Sequence, residues 1–297
     1  MPAYAASETP DIKRIAVLGA SGFIGSSTLE ALKGRANTTA VGVCRSSDSR
    51  AGFTRGDITD ITSLHVALDG VGGVVHSASY IGYDEAECER VNVCGTANVI
   101  EACAKANVSR LIYVSTAAVY GAGVHRNARE SELAVAPNSV LSVSRARAEE
   151  LVLAAGGIVV RPHFVFGAGD KWLVPGILKL ITGINGLPDG GRARHSAIDV
   201  EALGELIAGL VVAPDVPGPA VFHAAEEEPV TLAHVVQSAL SPAEFDALEP
   251  LTRAEAYERA QNAGLSARHI DWLADDHVYD LSAIRNAIFK TSTRGLL

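Results

Sequence analysis

The sequence predicts a doubly wound α/β fold, in which helices cover both faces of a parallel sheet, with a smaller and mostly helical domain attached. Short runs of β-branched residues alternate with helix-length segments through the first two thirds of the chain, as in repeated βαβ units. These runs are apolar throughout rather than alternating in polarity, which is typical of strands buried on both faces.

The elements follow in a regular order up to residue 167. Strands are predicted at 15–18, 40–44, 74–76, 111–115 and 158–161, and helices at 24–33, 85–106 and 140–155. Glycine and proline then predict a loop-rich insertion beyond Gly167. A helix over 199–212 and a late strand over 220–223 return to the sheet, and the segment from Leu232 onward is predicted to be helical.

Composition narrows the classes of partner. The 297 residues carry a formal net charge of −9, which disfavours nucleic acid and anionic membranes and leaves a small molecule as the expected partner. The cysteines form no CxxC pair and have no interleaved histidines, so neither a metal site nor a disulfide framework is predicted. Without an apolar leader or a membrane-length apolar run, a cytoplasmic location is expected. No feature of the sequence indicates an oligomeric state.

A glycine-rich turn joins the first predicted strand directly to the first predicted helix. Gly19, Gly22 and Gly25 have the spacing G-x-x-G-x-x-G. Glycines at such a turn let the backbone approach a pyrophosphate, which then lies on the helix N-terminus. An ordinary strand–helix turn is the disfavoured alternative. The predicted cofactor contacts here are Gly19, Ser21, Gly22, Phe23, Ile24 and Gly25.

The end of the second strand predicts which dinucleotide binds. The sequence there contains Arg45 and Ser46 and lacks the acidic residue that would bind a ribose 2′-hydroxyl. Arginine is permanently charged and donates well to phosphate, so NADP(H) is the predicted cofactor. The alternative is that Arg45 is a solvated loop charge.

Further motifs along nearly the whole chain resemble the extended short-chain dehydrogenase/reductase family. They are Gly56-Asp57-Ile58, His76-Ser77-Ala78-Ser79, Val91 to Thr96, Arg161 to Gly167 and His195 to Val200. The resemblance implies a Rossmann-like sheet, with a dinucleotide-binding domain of residues 12–167 plus about 196–224 and a substrate-binding domain of about 168–195 plus 225–297. It also implies cofactor contacts from Asp57, Ile58, Ser77, Ala78, Ser79, Asn92, Ser115, Arg145, Pro162, His163 and Val165.

The resemblance fails at the residues that handle the proton. Members of this family use a Ser or Thr after the fifth strand and a Tyr-x-x-x-Lys pair on the next helix. Thr116 matches the first, but Leu141 stands at the tyrosine position and Arg145 at the lysine position, while Ser144, Ala148 and Glu149 match. Leucine cannot donate a proton, and an arginine pKa above ~12 makes a poor proton shuttle. The sequence of this helix therefore predicts that the protein binds its ligands but lacks the usual general acid.

The leading hypothesis is an NADPH-dependent ketoreductase that acts on a polycyclic aromatic, angucyclinone-like polyketide in antibiotic biosynthesis. Losing a general acid typically costs ~10²–10⁴ in rate, whereas positioning alone can supply about 7–11 kcal/mol. A phenolic hydroxyl beside the ketone would activate the carbonyl, and Thr116 would help to hold its oxygen. No metal is expected. The expected substrate contacts are Tyr80, Tyr83, Thr116, Tyr120, Leu141, Phe164 and Trp172.

Three alternatives stay open. One is a replacement acid such as Tyr80, Tyr83 or Tyr120, which is disfavoured because no motif fixes the chemistry of these residues. The second is a nucleotide-sugar epimerase or reductase, with Arg192 and Arg194 at the pyrophosphate. The third is an inactive NADP(H)-binding sensor or regulator.

Overall fold

The structure is a computed structural model that describes residues 13–45, 53–214 and 216–292. Its strands are β1 Arg14–Leu18, β2 Thr39–Cys44, β3 Phe53–Arg55, β4 Gly73–His76, β5 Arg110–Val114, β6 His125–Ala128, β7 Ile158–Pro162, β8 Phe164–Phe166, β9 Gly186–Pro188, β10 Arg194–His195, β11 Ala197–Asp199, β12 Ala220–Ala224, β13 Val230–Thr231, β14 Glu249–Leu251 and β15 His277–Tyr279.

The α-helices are α1 Phe23–Lys33, α2 Ile61–Ala67, α3 Glu85–Glu87, α4 Gly95–Lys105, α5 Val140–Ala154, α6 Leu173–Ile184, α7 Val200–Val212, α8 Leu232–Ala239, α9 Pro242–Asp246, α10 Arg253–Asn262, α11 Ala267–Ala274 and α12 Ser282–Ser292. A π-helical segment, Cys88–Cys94, connects α3 to α4, and short 3-10 turns cover Ala117–Tyr120 and Asp189–Gly191. No helix within the described residues is long and apolar enough to cross a bilayer.

The central sheet confirms the predicted fold class. Its strand order is β12-β7-β5-β4-β1-β2-β3, and each neighbouring pair is parallel. The strand order reverses between β1 and β4, which opens a crevice at the carboxyl ends of the strands.

Each face of this sheet packs against its own layer of helices. Helices α1 and α7 contribute Leu29, Leu32 and Leu203 to the core on one face, while α2 and α4 contribute Leu64 and Val99 to the core on the other. A third apolar core lies among α6, α8, α10 and α11, in the C-terminal part of the chain.

The prediction of a loop-rich insertion after Gly167 is wrong, because α6 occupies residues 173–184. Pro175 lies in the first turn of this helix, where a missing N–H costs no intrahelical hydrogen bond. The Asp170 carboxylate accepts hydrogen bonds from the N–H groups of Trp172, Leu173 and Val174. Apolar residues on one face of α6, including Ile177 and Ile181, are buried in the third core.

Other boundaries differ only slightly from those predicted. The fifth strand ends at Val114 rather than at Ser115, and Asp199 caps α7 instead of beginning it. The tail also contains the short strands β14 and β15 among its helices.

Candidate active site

The turn between β1 and α1 has a shape that only glycine permits. Gly19 has φ +81°, and a Cβ on Gly19 would lie 2.7 Å from the backbone nitrogen of Ala78. A Cβ on Gly25 would lie 2.2 Å from the carbonyl oxygen of Gly19. Within the described residues, no side chain caps α1 at Gly22. The amides of its first turn are therefore available to an anion such as a pyrophosphate.

The segment after β4 forms the other wall of this cofactor cradle. The Ser77 hydroxyl donates a 2.7 Å hydrogen bond to the Leu18 carbonyl, which holds the segment against β1. Farther along, the buried Asn92 amide accepts from the N–H of Tyr80 and donates to the Ser144 hydroxyl on α5. The Asn92 amide therefore fixes Ser79 and Tyr80 beside α5, and its polar atoms already have protein partners.

Other predicted cofactor residues lie near the carboxyl ends of β2, β3 and β7. Arg45 follows β2 with its side chain exposed, and Ser46 lies outside the described residues. The Asp57 carboxylate accepts hydrogen bonds from the amide and hydroxyl of Thr59, while Ile58 is buried beneath Gly95. Pro162 ends β7, and Val165 lies in β8.

Helix α5 keeps its structure despite the two changed residues. Ser139 and Ser142 form a capping box at its N-terminus. Arg145 is only 8% exposed; it donates to the Val114 carbonyl, and its guanidinium carbon lies 4.9 Å from the centre of the Tyr113 ring. The arginine is therefore turned toward the end of β5.

Two buried polar atoms at this end of β5 have no hydrogen-bond partner among the described residues. They are the Ser115 hydroxyl and the Nε of Arg145. Buried polar groups in native proteins nearly always have a partner. Ribose hydroxyls of a bound nicotinamide dinucleotide would supply suitable partners, so the residues present fit such a cofactor.

A cavity of about 530 Å³ opens beside the altered helix. Its walls come from the 3-10 turn after Thr116, the start of α5, helix α6, the region of α11, and β15. Most of its lining is apolar, which suits a flat aromatic ligand. The lining includes Ala117, Ala118, Leu141, Trp172, Leu173, Ile177, Leu180, Leu265, Trp272 and Leu273.

Buried imidazole and phenol groups form one part of the polar cavity wall, and charged side chains, among them Lys179, Arg268 and Asp275, form another. His163, His277 and Tyr279 line it, and the Tyr279 hydroxyl lies 3.1 Å from Nδ1 of His125. Burial lowers the pKa of His277 to about 3 and raises the pKa of Tyr279. These side chains are therefore uncharged at neutral pH.

The predicted substrate contacts divide into two groups. Tyr83, Leu141 and Trp172 line the cavity, and Thr116 caps the 3-10 turn that supplies Ala117 and Ala118 to its wall. Tyr80, Tyr120 and Phe164 are not among the residues that line it.

Packing explains why these last three residues do not reach the cavity. The Tyr80 hydroxyl packs so closely over Gly82 that a Cβ there would lie 2.3 Å away. Phe164 is fully buried, with its ring centre 4.4 Å from those of both His163 and His195. The Tyr120 hydroxyl is buried between His223 and Arg161.

Arg161 and Glu149 form a buried ion pair that joins α5 to β7. Their side chains are 5% and 2% exposed, and Nη2 of Arg161 lies 2.5 Å from a Glu149 carboxylate oxygen. Because Pro162 and His163 directly follow Arg161, this pair helps to fix α5 relative to the segment that is predicted to lie beside the nicotinamide.

The part of the cavity wall that comes from the C-terminal segment was not predicted from the sequence. Trp272, His277 and Tyr279 belong to no motif, and their contribution depends on the fold of the C-terminal segment. The run His277-Val278-Tyr279, with one β-branched and one aromatic residue, is a local sequence signal that favours a strand here.

The family comparison agrees with the geometry. The model of the 3-beta hydroxysteroid dehydrogenase/isomerase family matches residues 16–193. The chain belongs to this family. The matched segment begins in β1 and includes the glycine turn, Thr116 and all of α5, so this family member carries its substitutions inside the matched region.

Two curated relatives differ in how much of the chain they cover. The bovine (Bos taurus) sterol-4-alpha-carboxylate 3-dehydrogenase, decarboxylating, is 33% identical over 181 residues, which is 57% of this chain and 51% of the relative. The chain thus spans about half the length of that protein. A 4-hydroxy-2-methyl-3-oxo-4-farnesyl-3,4-dihydroquinoline-1-oxide ketoreductase from Stigmatella aurantiaca is 30% identical and covers 74% of this chain and 70% of the relative.

A solved structure supports the fold of this 3-beta hydroxysteroid dehydrogenase/isomerase family member. It is a short-chain dehydrogenase/reductase superfamily protein from Agrobacterium tumefaciens with bound NAD, 20% identical in sequence, with a TM-score of 0.70. The match covers 93% of this chain and 91% of that one.

Proposed function

We propose that this protein is an NADPH-dependent ketoreductase that transfers a hydride to a ketone on a polycyclic aromatic substrate. The observation that carries the proposal is Leu141, which lies in the wall of an apolar cavity at the position of the family's tyrosine. An aromatic surface packs well against leucine, whereas a sugar does not. The ketoreductase name of the Stigmatella relative supports this choice of reaction.

The cofactor assignment rests on the cradle and on the end of β2. The uncapped first turn of α1 suits a pyrophosphate, and the unpaired Ser115 hydroxyl and Arg145 Nε suit ribose hydroxyls. The exposed Arg45 suits a 2′-phosphate. When bound, NADPH supplies the hydride.

The buried polar groups beside Leu141 are poor acids for the reduced oxygen, and Tyr83, which also lines the cavity, is 74% exposed. His163 and His277 are held neutral by burial, with the pKa of each lowered. The raised pKa of Tyr279 weakens its phenol as a proton donor, and Arg145 stays a cation. We therefore infer that the proton comes from the substrate.

A phenolic hydroxyl beside the ketone would complete the reaction. As the hydride adds to the carbonyl carbon, the C=O π electrons move to oxygen, and the neighbouring phenol gives its proton to that oxygen. The resulting phenolate is then protonated by water. Thr116 lies next to the cavity and helps to hold the oxygen. An angucyclinone-like polyketide with a peri-hydroxy ketone would meet this requirement, so we propose a role in antibiotic biosynthesis, with the reaction in the cytoplasm.

The nucleotide-sugar alternative has less support. Arg192 and Arg194, which would meet a pyrophosphate, are exposed and are not among the residues lining the cavity. A sugar hydroxyl also needs a real acid or base, and Leu141 cannot be one.

Oxidation of NADPH, followed by absorbance, tests the proposal directly. The assay offers a peri-hydroxy aromatic ketone, with NADH and a UDP-sugar as controls. We expect turnover with NADPH and the phenolic ketone and none with the UDP-sugar. Tight NADPH binding without reduction of any ketone would instead indicate a sensor, and turnover of the UDP-sugar would indicate an epimerase or reductase.

A further inference from the structure

The hydrogen bond between His163 and His195, beside the cavity, can run in only one direction. Nε2 of His195 lies 3.2 Å from the Leu273 carbonyl oxygen. A carbonyl can only accept, so His195 carries its proton on Nε2, and Nδ1 of its neutral ring is an acceptor. Nε2 of His163 lies 3.3 Å from that Nδ1, so His163 must be the donor. The hydrogen-bond network thus assigns the Nε2–H tautomer to both rings.

In this tautomer, Nδ1 of His163 carries no proton, and its lone pair can accept a hydrogen bond. Among the described residues, none forms a hydrogen bond with this atom, and His163 lines the cavity. The ring is held flat against Phe164, with centres 4.4 Å apart and planes 12° apart. Trp272 also contacts its edge, with ring centres 5.9 Å apart. The acceptor is therefore held in one orientation.

The charge state of the pair supports the same assignment. Burial lowers the pKa of His195 to about 4. Burial and the nearby His277, His195 and His125 lower the pKa of His163 well below its ordinary value. Both rings are neutral at pH 7, so an anionic group facing Nδ1 would meet a lone pair rather than a cation.

We propose that Nδ1 of His163 accepts a hydrogen bond from a hydroxyl group of the aromatic substrate, and that His195 is the positioning residue that fixes the tautomer. This inference rests on the proposed function. The hydroxyl that donates to His163 is distinct from the phenol beside the ketone, because the proton of that phenol is already hydrogen-bonded to the carbonyl oxygen. A substrate with an ether or carbonyl oxygen at this position would place two acceptors face to face and bind poorly.

The tautomer can be measured without any substrate. Long-range ¹H–¹⁵N correlation spectra of the histidine-labelled full chain distinguish protonated from bare ring nitrogens. We expect Nε2–H for both His163 and His195, and we expect the His163 signal to change in His195→Phe but not in His234→Phe, an unrelated histidine. An Nδ1–H signal for His163 in the native protein would overturn the proposal.

Ligand binding tests the selectivity separately from turnover. Calorimetry of the NADP⁺-saturated protein would compare a polyhydroxylated aromatic polycycle with its derivatives methylated at one hydroxyl at a time. At one position, we expect methylation to weaken binding roughly tenfold in the native protein. The effect should shrink to within about twofold in His163→Phe, which keeps the ring contacts, and return in His163→Asn, whose amide oxygen can replace Nδ1.

The outcomes separate this inference from the proposed function. Hydroxyl selectivity that depends on His163, in a protein that reduces no ketone, would support the inference and contradict the function. Equal selectivity in the native protein and in His163→Phe would overturn the inference. A His163→Phe variant that loses affinity for NADP⁺ but keeps its selectivity would also overturn it, because His163 would then contact the cofactor.

Discussion

The proposed cofactor cradle and the apolar cavity are built in different ways. The cradle comes from one continuous turn between β1 and α1 and from the segment after β4, and close backbone contacts fix its shape. The cavity takes its lining from segments scattered between residues 83 and 279, and its contacts are made by side chains. The difference predicts that cofactor binding and proton supply depend largely on separate segments, with Arg145 of α5 as the point where they meet. One can therefore be retained while the other changes.

Restoring the family's acid should have the largest effect. We expect Leu141→Tyr with Arg145→Lys to raise the reduction of a ketone whose neighbouring phenol is methylated, by up to ~10²–10⁴ over the native protein, because a positioned general acid contributes about that much. NADPH oxidation measures the rate. The matched control, Leu141→Phe with Arg145→Lys, adds the ring without its hydroxyl. Equal rates in the two double variants would contradict the assignment of position 141.

Substitution of a glycine in the cofactor cradle should weaken cofactor binding. In Gly25→Ala, the new Cβ would lie 2.2 Å from the Gly19 carbonyl oxygen, so the turn must shift. We expect the free energy of unfolding to fall by about 1–3 kcal/mol, with a loss of NADP(H) affinity seen by calorimetry. Gly34→Ala, where the Cβ makes only an ordinary 3.6 Å contact, is the control. Unchanged cofactor affinity in Gly25→Ala would show that the turn is not the binding site.

The buried histidines beside the cavity should make the folded protein less stable in acid. The pKa of His195 falls from 6.5 to about 4 in the folded protein, and that of His277 to about 3. Between pH 6.5 and about 3, the unfolded chain therefore binds more protons, and stability falls as pH falls. We expect a loss on the order of 2 kcal/mol at pH 5 for one such histidine, measured by urea unfolding. In His195→Gln, the slope should be shallower; an identical slope would contradict the burial argument.

Of the four predicted changes, substitution of Arg45 should have the smallest effect. We expect Arg45→Glu to reduce the preference for NADPH over NADH roughly tenfold, because a charged hydrogen bond to the 2′-phosphate is lost. Ratios of kcat/KM with the two cofactors measure this preference. Arg45→Lys keeps the charge and should retain most of it. A ratio that is the same in the native protein and in Arg45→Glu would show that Arg45 is a solvated loop charge.

The same contrast explains what the sequence could predict. Local signals predicted six of the seven strands of the central sheet, the glycine turn and the place of Leu141 at the start of a helix, since each depends on residues close together in the chain. They missed β3, which is only three residues long. The helix at 173–184 was missed because Pro175 and Gly183 indicate a loop unless Asp170 is known to cap the first turn. The tautomer of His195 depends on Leu273, 78 residues away in sequence, and no local pattern contains that information.

The measurement that tests the account most directly compares one ketone with and without a methyl group on its neighbouring phenol. The native protein is saturated with NADPH, the rate is followed by absorbance, and binding of each ketone is measured by calorimetry with NADP⁺. The account predicts that methylation abolishes turnover while binding is largely retained. Unchanged turnover of the methylated ketone would contradict it and show that a group on the protein supplies the proton.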